Sequence, residues 1–502
     1  MNLAQTPATQ LREMIARRKV SPVELLDACI ERIERYNPAV NAICATDFDR
    51  ARDAARAAEA QVMRGEPLGL LHGLPVGVKD LQATAGLLTT SGNVRLRSHV
   101  PEQDSSMVAC LRQAGAIITA KTNTPDMGAG ANTRNPVWGA TGNPFDPRLN
   151  AGGSSGGSAA ALACDMLPLC TGSDTGGSLR IPASLCGVVG LRTSPGVVAN
   201  DERALGWSVL SVLGPMARSV EDTALMLQAC VGPHPMDPLS LGIAPGPCWP
   251  LATVDVRGLR IGFTEDFGAC AVDPMIRRTF RRRMQALSRD VAVCEPLGWN
   301  LTDGHRCFDV LRAESFLAEF EEEYRTHPET LGPNVRANVE MASGITLSDR
   351  AWAHLEQTRI MRRFQSAFER FDLLIAPVTP LPPFPWERLY AQVVDGQVQR
   401  NYYEWLSLTY MVTLATHPAM SLPCGCDEGG MPFGLQLVGP LHGDGQLLGI
   451  AAALEGLFTE QGLTRPLPAM AALEQPRPEL RSIVTHPPLL GAAAPQDARQ
   501  PV

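Results

Sequence analysis

Seven glycines and five serines fall within the twenty-seven residues from Gly152 to Ser178. They are arranged as Gly152-Gly153-Ser154-Ser155-Gly156-Gly157-Ser158, an apolar stretch, then Ser173-Asp174-Thr175-Gly176-Gly177-Ser178. Glycine admits backbone dihedrals that a Cβ forbids and lets main chain approach main chain closely. Two small-residue loops flanking a short buried segment are therefore the arrangement this stretch imposes. Such loops can present serine hydroxyls and backbone N–H groups to one point, as a nucleophile and an anion hole require.

A second element lies far upstream. Lys79 closes the uncharged run Leu74-Pro75-Val76-Gly77-Val78, which reads as a strand. An ordinary lysine, with a pKa near 10.4, is neutral in roughly 1 molecule in 2,500 at pH 7, a gap of about 4.6 kcal/mol for a general base. Burial in an apolar cleft can lower a lysine pKa by several units. Asp80 would oppose that shift if it faced the amine, but strand alternation turns it to the opposite side. Lys79 and the serine loops together predict a serine hydrolase whose base is a lysine.

The bulk composition narrows the alternatives. The chain has 502 residues, 45% hydrophobic and 19% charged, with a net charge of −8. That suits a globular protein and argues against dominant binding to nucleic acid or anionic membrane. The thirteen cysteines show no C-x-x-C spacing and the nine histidines no H-E-x-x-H cluster, so neither a metal nor another cofactor is expected. No secretory signal or apolar run of about 18 residues is legible. The expected location is cytoplasmic.

Helical and strand-like segments alternate along the chain, which predicts an α/β fold: a large mixed, mostly parallel twisted sheet covered by helices on both faces. Ser21-Pro22-Val23-Glu24 signals a capped helix start, and Ala51 to Met63 reads as a second helix. Residues 1–65 are thus expected to be helices packed on the core. Residues 66–472 form a single catalytic domain with its central motif at 72–220. Residues 473–502 form a Pro/Ala-rich, poorly ordered tail.

In its motifs the chain resembles the amidase signature family. The resemblance rests on Val76-Gly77-Val78-Lys79-Asp80, Gly152 to Ser158, Ser173 to Ala183, Gly214-Pro215-Met216-Ala217-Arg218, Met420-Ser421-Leu422-Pro423 and Gly434 to Gly439, in that order. It implies a triad of Ser178 as nucleophile, Ser154 as a relay on a cis peptide, and Lys79 as base. It implies an oxyanion hole from the N–H groups of Thr175, Gly176, Gly177 and Ser178, supported by Ser155, Asp174 and Arg180. Ser173 and Arg192 depart from residues common in the family at those positions.

Met127, Trp138, Leu205 and Trp207 lie in segments that the resemblance places beside the substrate, so an apolar or aryl pocket is expected. The corresponding reading is a stand-alone amidase that cleaves a small apolar or aryl amide through a Ser178 acyl-enzyme, with ester or carbamate side activity. It would work without nucleic-acid or membrane partners, and a homodimer is left open. The alternative is the glutaminase-type A subunit of a tRNA-dependent amidotransferase.

Overall fold

The helix signals act as their chemistry dictates. Ser21 Oγ accepts the Val23 N–H at 3.0 Å and Glu24 accepts the Ser21 N–H at 2.9 Å, opening the helix Pro22–Val40. Asp47 caps the helix Phe48–Arg64, which stops at Gly65 in the left-handed conformation. The computed structural model describes residues 2–243 and 246–489. Among these residues no helix is long and apolar enough to cross a membrane.

Eleven strands form one sheet. From edge to edge they are Ile43–Thr46, Ile117–Thr122, Pro75–Lys79, Leu169–Asp174, Val212–Ala217, Val189–Arg192, Ala419–Cys426, Pro432–Val438, Leu373–Pro377, Arg260–Phe263 and Val293–Pro296. The mixed α/β sheet stands as expected, with a larger antiparallel share than the mostly parallel pattern read from sequence. The parallel pairings sit in two blocks, around Pro75–Lys79 and around Arg260–Phe263. Antiparallel pairs join them through the centre.

Central strands such as Pro75–Lys79, Val212–Ala217 and Pro432–Val438 are buried along their whole length. A strand buried on both faces must be covered on both, and helices provide that cover. Val76, Val78, Leu162, Leu169, Leu191 and Leu435 belong to one hydrophobic core. Leu169–Asp174 is a strand that sequence periodicity conceals. Its residues Leu-Cys-Thr-Gly-Ser-Asp do not alternate and include one β-branched side chain, Thr171, and pairing on both edges decides its conformation.

The helices Pro22–Val40 and Phe48–Arg64 pack against each other and against the strands Pro75–Lys79 and Ile117–Thr122 respectively. Of the tail, the part up to residue 489 carries a short 3-10 turn at Pro478–Arg481, with Leu480 fully buried beside Ala140 and Trp386. The rest of the expected tail, residues 490–502, lies outside the described residues.

Candidate active site

Two parallel neighbours set the site. Pro75–Lys79 and Leu169–Asp174 pair with Gly77 opposite Cys170, so Lys79 and Ser173-Asp174 emerge at the same, C-terminal edge of the sheet. The carboxyl ends of parallel strands are the usual place for a ligand crevice in α/β sheets. Between these strands in sequence runs the helix Gly156–Ala163, buried at every residue. It is a helix of small residues because it must lie close against the sheet. A Cβ on Gly157 would stand 2.2 Å from the Asn123 backbone nitrogen.

The approach brings the predicted residues together. Lys79 Nζ lies 2.6 Å from Ser154 Oγ and 2.9 Å from Ser173 Oγ, and Lys79 is fully buried. The Gly153–Ser154 peptide is cis. The Ser155 N–H donates to the Ser178 carbonyl at 3.1 Å, tying the two small-residue loops to each other. Ser154, Ser173, Thr175, Gly176 and Ser178 line one cavity of ≈ 220 Å³. In sequence Ser173 is only a departure from a family pattern; its distance from Lys79 makes it part of the site.

Burial lowers the Lys79 pKa to about 7, while the negative charge of Asp174 acts to raise it. Asp80 does face away, as strand alternation requires. Its carboxylate accepts from Thr90 Oγ1 at 2.6 Å and from the Thr90 N–H at 3.1 Å. Burial lifts its pKa to about 6 against the pull of Lys121.

Asp174 organises the second loop. Burial alone would raise its pKa, but Arg180 and Arg192 outweigh that and hold it well below the usual carboxylate range. Arg180 binds it through two nitrogens, at 2.8 and 3.0 Å, and Arg192 Nη1 lies 3.3 Å from Oδ1. Arg192 is thus a participant that its sequence context presents as incidental. Asp174 Oδ1 also takes the Gly177 N–H at 2.8 Å. Gly177 is expected among the oxyanion donors, and this bond commits its N–H elsewhere. Among the described residues, the N–H groups of Thr175, Gly176 and Ser178 have no hydrogen-bond partner.

The expected pocket residues divide. Met127 and Leu205 line the cavity. Trp138 does not: it packs with Ala45, Leu88 and Val137, and its Nε1–H donates to Thr90 Oγ1 at 2.8 Å. Trp207 is 78% exposed and borders a neighbouring cavity with Leu311 and His354, while Leu205 lines both cavities. The cavity also carries ionisable side chains that sequence reasoning misses: Glu202, Arg203, Arg312 and Glu319; burial raises the pKa of both glutamates to about 7. Phe308, Arg312, Ser315, Phe316 and Glu319 recur at helical spacing on Asp303–Thr326 and share the cavity-lining face. An arginine among phenylalanines on one helical face is the available signal.

Fold and site together define a hydrolase of the amidase type. Residues 24–448 match the Amidase family model, and the chain belongs to that family. The A subunit of glutamyl-tRNA(Gln) amidotransferase from Acidothermus cellulolyticus is 35% identical over 92% of this chain and 96% of its own. That of Roseiflexus castenholzii is 36% identical over 90% of this chain and 96% of its own. In three dimensions a bacterial aryl acylamidase of the amidase signature family superposes with a TM-score of 0.84. It is 27% identical and covers 92% of this chain and 99% of its own.

These relatives correct three expectations. A stand-alone amidase, an apolar or aryl amide as substrate, and independence from nucleic-acid partners all run against the amidotransferase relatives, which match nearly the whole chain. The lining of the cavity agrees with the correction, since two of the four expected pocket residues leave it and charged ones take their place.

Proposed function

We propose that the chain is a glutaminase-type A subunit of a tRNA-dependent amidotransferase, releasing ammonia from the side-chain carboxamide of glutamine. The observation that carries this reading is the 35–36% identity, over at least nine-tenths of the chain, to proteins of that name. The charged cavity lining supports a polar, ionised substrate.

In the proposed reaction, neutral Lys79 takes the Ser154 hydroxyl proton as Ser154 takes that of Ser178. The Ser178 oxygen meanwhile attacks the carboxamide carbon. The carbonyl oxygen becomes an oxyanion held by the N–H groups of Thr175, Gly176 and Ser178. Each such donor typically contributes about 10²–10³ in rate. The proton returns through Ser154 to the departing nitrogen, and ammonia leaves. Water, deprotonated by the same relay, then cleaves the acyl-enzyme to glutamate and free Ser178. A lysine neutral near pH 7 is the condition for the two deprotonation steps, and the protonated amine they leave is the donor for each return; burial at the strand end supports a pKa suited to both.

A reducing, cytoplasmic setting fits this assignment, as all thirteen cysteines are free thiols. The partners would be the other components of the amidotransferase and its tRNA. The test is ammonia and glutamate release from glutamine by the purified chain, with and without a co-purified tRNA-binding partner. Glutamine left intact under both conditions would end the proposal.

A further inference from the structure

Among the described residues four arginines are buried as whole residues: Arg180, Arg192, Arg218 and Arg312. Three have carboxylates beside them. Arg180 and Arg192 share Asp174, and Arg218 pairs with Asp165 at 3.4 Å. Arg312, 6% exposed, has no carboxylate within ion-pair distance among the described residues. Its Nη2 donates to the Tyr402 hydroxyl at 2.5 Å, and its Nε is buried with no partner.

Aromatic rings enclose the guanidinium. The centroids of Phe316, Tyr403, Tyr402 and Phe308 lie 4.6, 5.1, 5.6 and 5.9 Å from Cζ. Cation–π contacts offset part of the desolvation of a buried cation, but that penalty is several kcal/mol per ion and calls for a counter-charge. The Tyr402 hydroxyl is a hydrogen-bond partner and not a counter-ion, and it already accepts from Asn338 Nδ2 at 2.7 Å. Arg312 nevertheless lines the cavity that holds Ser154 and Ser178. The missing anion therefore has a route in.

We infer that Arg312 binds a carboxylate on the substrate and makes the enzyme selective for amides that carry one. The inference rests on the proposed hydrolysis at Ser178 and deepens the glutamine reading by naming the residue that recognises the far end of the molecule. A planar guanidinium fixed by aromatic rings is suited to the two oxygens of a carboxylate, which point charges on flexible stems are not. Glu319 lies seven residues further along the same helix, roughly 10 Å by helical rise. Among the described residues it forms no ion pair with Arg312, and Glu202 accepts the Ala83 N–H at 3.1 Å.

Three amides distinguish the possibilities: glutamine, succinamate (a carboxylate but no amine) and 4-aminobutanamide (glutamine without its carboxylate). Wild-type kcat/KM is expected to favour the two carboxylate-bearing amides by at least about 100-fold, because a site built for a polar group strongly rejects the analogue that lacks it. Arg312→Met should lower kcat/KM for those two by a similar factor, chiefly through KM, and change 4-aminobutanamide by less than about threefold. Equal wild-type turnover of all three would overturn the inference, as would a variant impaired equally on all three.

Binding of glutamate to the wild-type enzyme, followed by calorimetry, reads the site without turnover, and Arg312→Met should weaken it by at least about 50-fold. Failure of glutamate and succinamate to bind the wild type would also overturn it, whether or not the variant folds. Turnover of succinamate with glutamine untouched would remove the glutamine reading and leave the carboxylate site standing.

Discussion

Asp174 Oδ1 accepts the Gly177 N–H at 2.8 Å, so the residue that anchors the nucleophile loop also withdraws one donor from the expected anion cradle. The loop is held from below by an ion cluster rather than by its own turn. Asp174, Arg180 and Arg192 are all fully buried, and removing one partner leaves an uncompensated charge. Asp174→Asn should therefore destabilise the fold by about 3–5 kcal/mol in urea denaturation and lower kcat with it. Because the native carboxylate pKa is depressed, its stabilising contribution is fully present above the ordinary carboxylate range. It is lost only as pH falls further, through the native pKa.

The proposed base gives a pH signature. Lys79 is protonated below its pKa of about 7 and neutral above it, so kcat/KM should rise with pH through a midpoint near 7. Lys79→Met should reduce kcat by about 10²–10⁴. The same shift affects folding in a defined direction. Between pH 7 and 10.5 the unfolded chain binds a proton that the native chain does not, so this residue's contribution to stability increases with pH across that window. The methionine variant should lose that component of the slope, measured as urea midpoint against pH.

Ser178→Ala should abolish turnover, with a circular dichroism spectrum and melting temperature like those of the parent. A serine-directed fluorophosphonate should label the parent at Ser178 by peptide mass mapping and leave the variant unlabelled. Labelling of another serine would refute the proposed nucleophile.

Gly177 takes φ of +123°, and a Cβ there would stand 2.2 Å from Thr409 Oγ1, which itself donates to the Gly176 carbonyl. Gly177→Ala must therefore displace either Thr409 or the loop, on top of about 1–3 kcal/mol of backbone strain. The expected result is a loss of at least about 100-fold in kcat, larger than the loss in stability would explain, read from steady-state kinetics beside a melting curve.

The local chemistry of the site was legible because it is written in neighbouring residues. Gly152 to Ser158 and Ser173 to Ser178 specify tight backbone paths whatever surrounds them, and an uncharged run ending in Lys79 implies a buried amine. The helix start at Ser21 was equally local, its hydroxyl accepting the Val23 N–H at 3.0 Å. The strand Leu169–Asp174 was not legible, since nothing in its own residues distinguishes it from a loop. Its two neighbours in the sheet make it a strand. The commitment of the Gly177 N–H was hidden for a related reason, because it depends on where buried Arg180 and Arg192 hold the Asp174 carboxylate.

The sequence by itself determined the reaction class and the α/β architecture, since both follow from short-range patterns of small, apolar and capping residues. Only the tertiary structure decided what the cavity can recognise. Trp138 turned into a core cluster and Trp207 out to solvent, while Arg312 came in from a helix far along the chain. A pocket is built from faces of elements distant in sequence. Which face points inward is set by long-range packing, and that information belongs to no single segment.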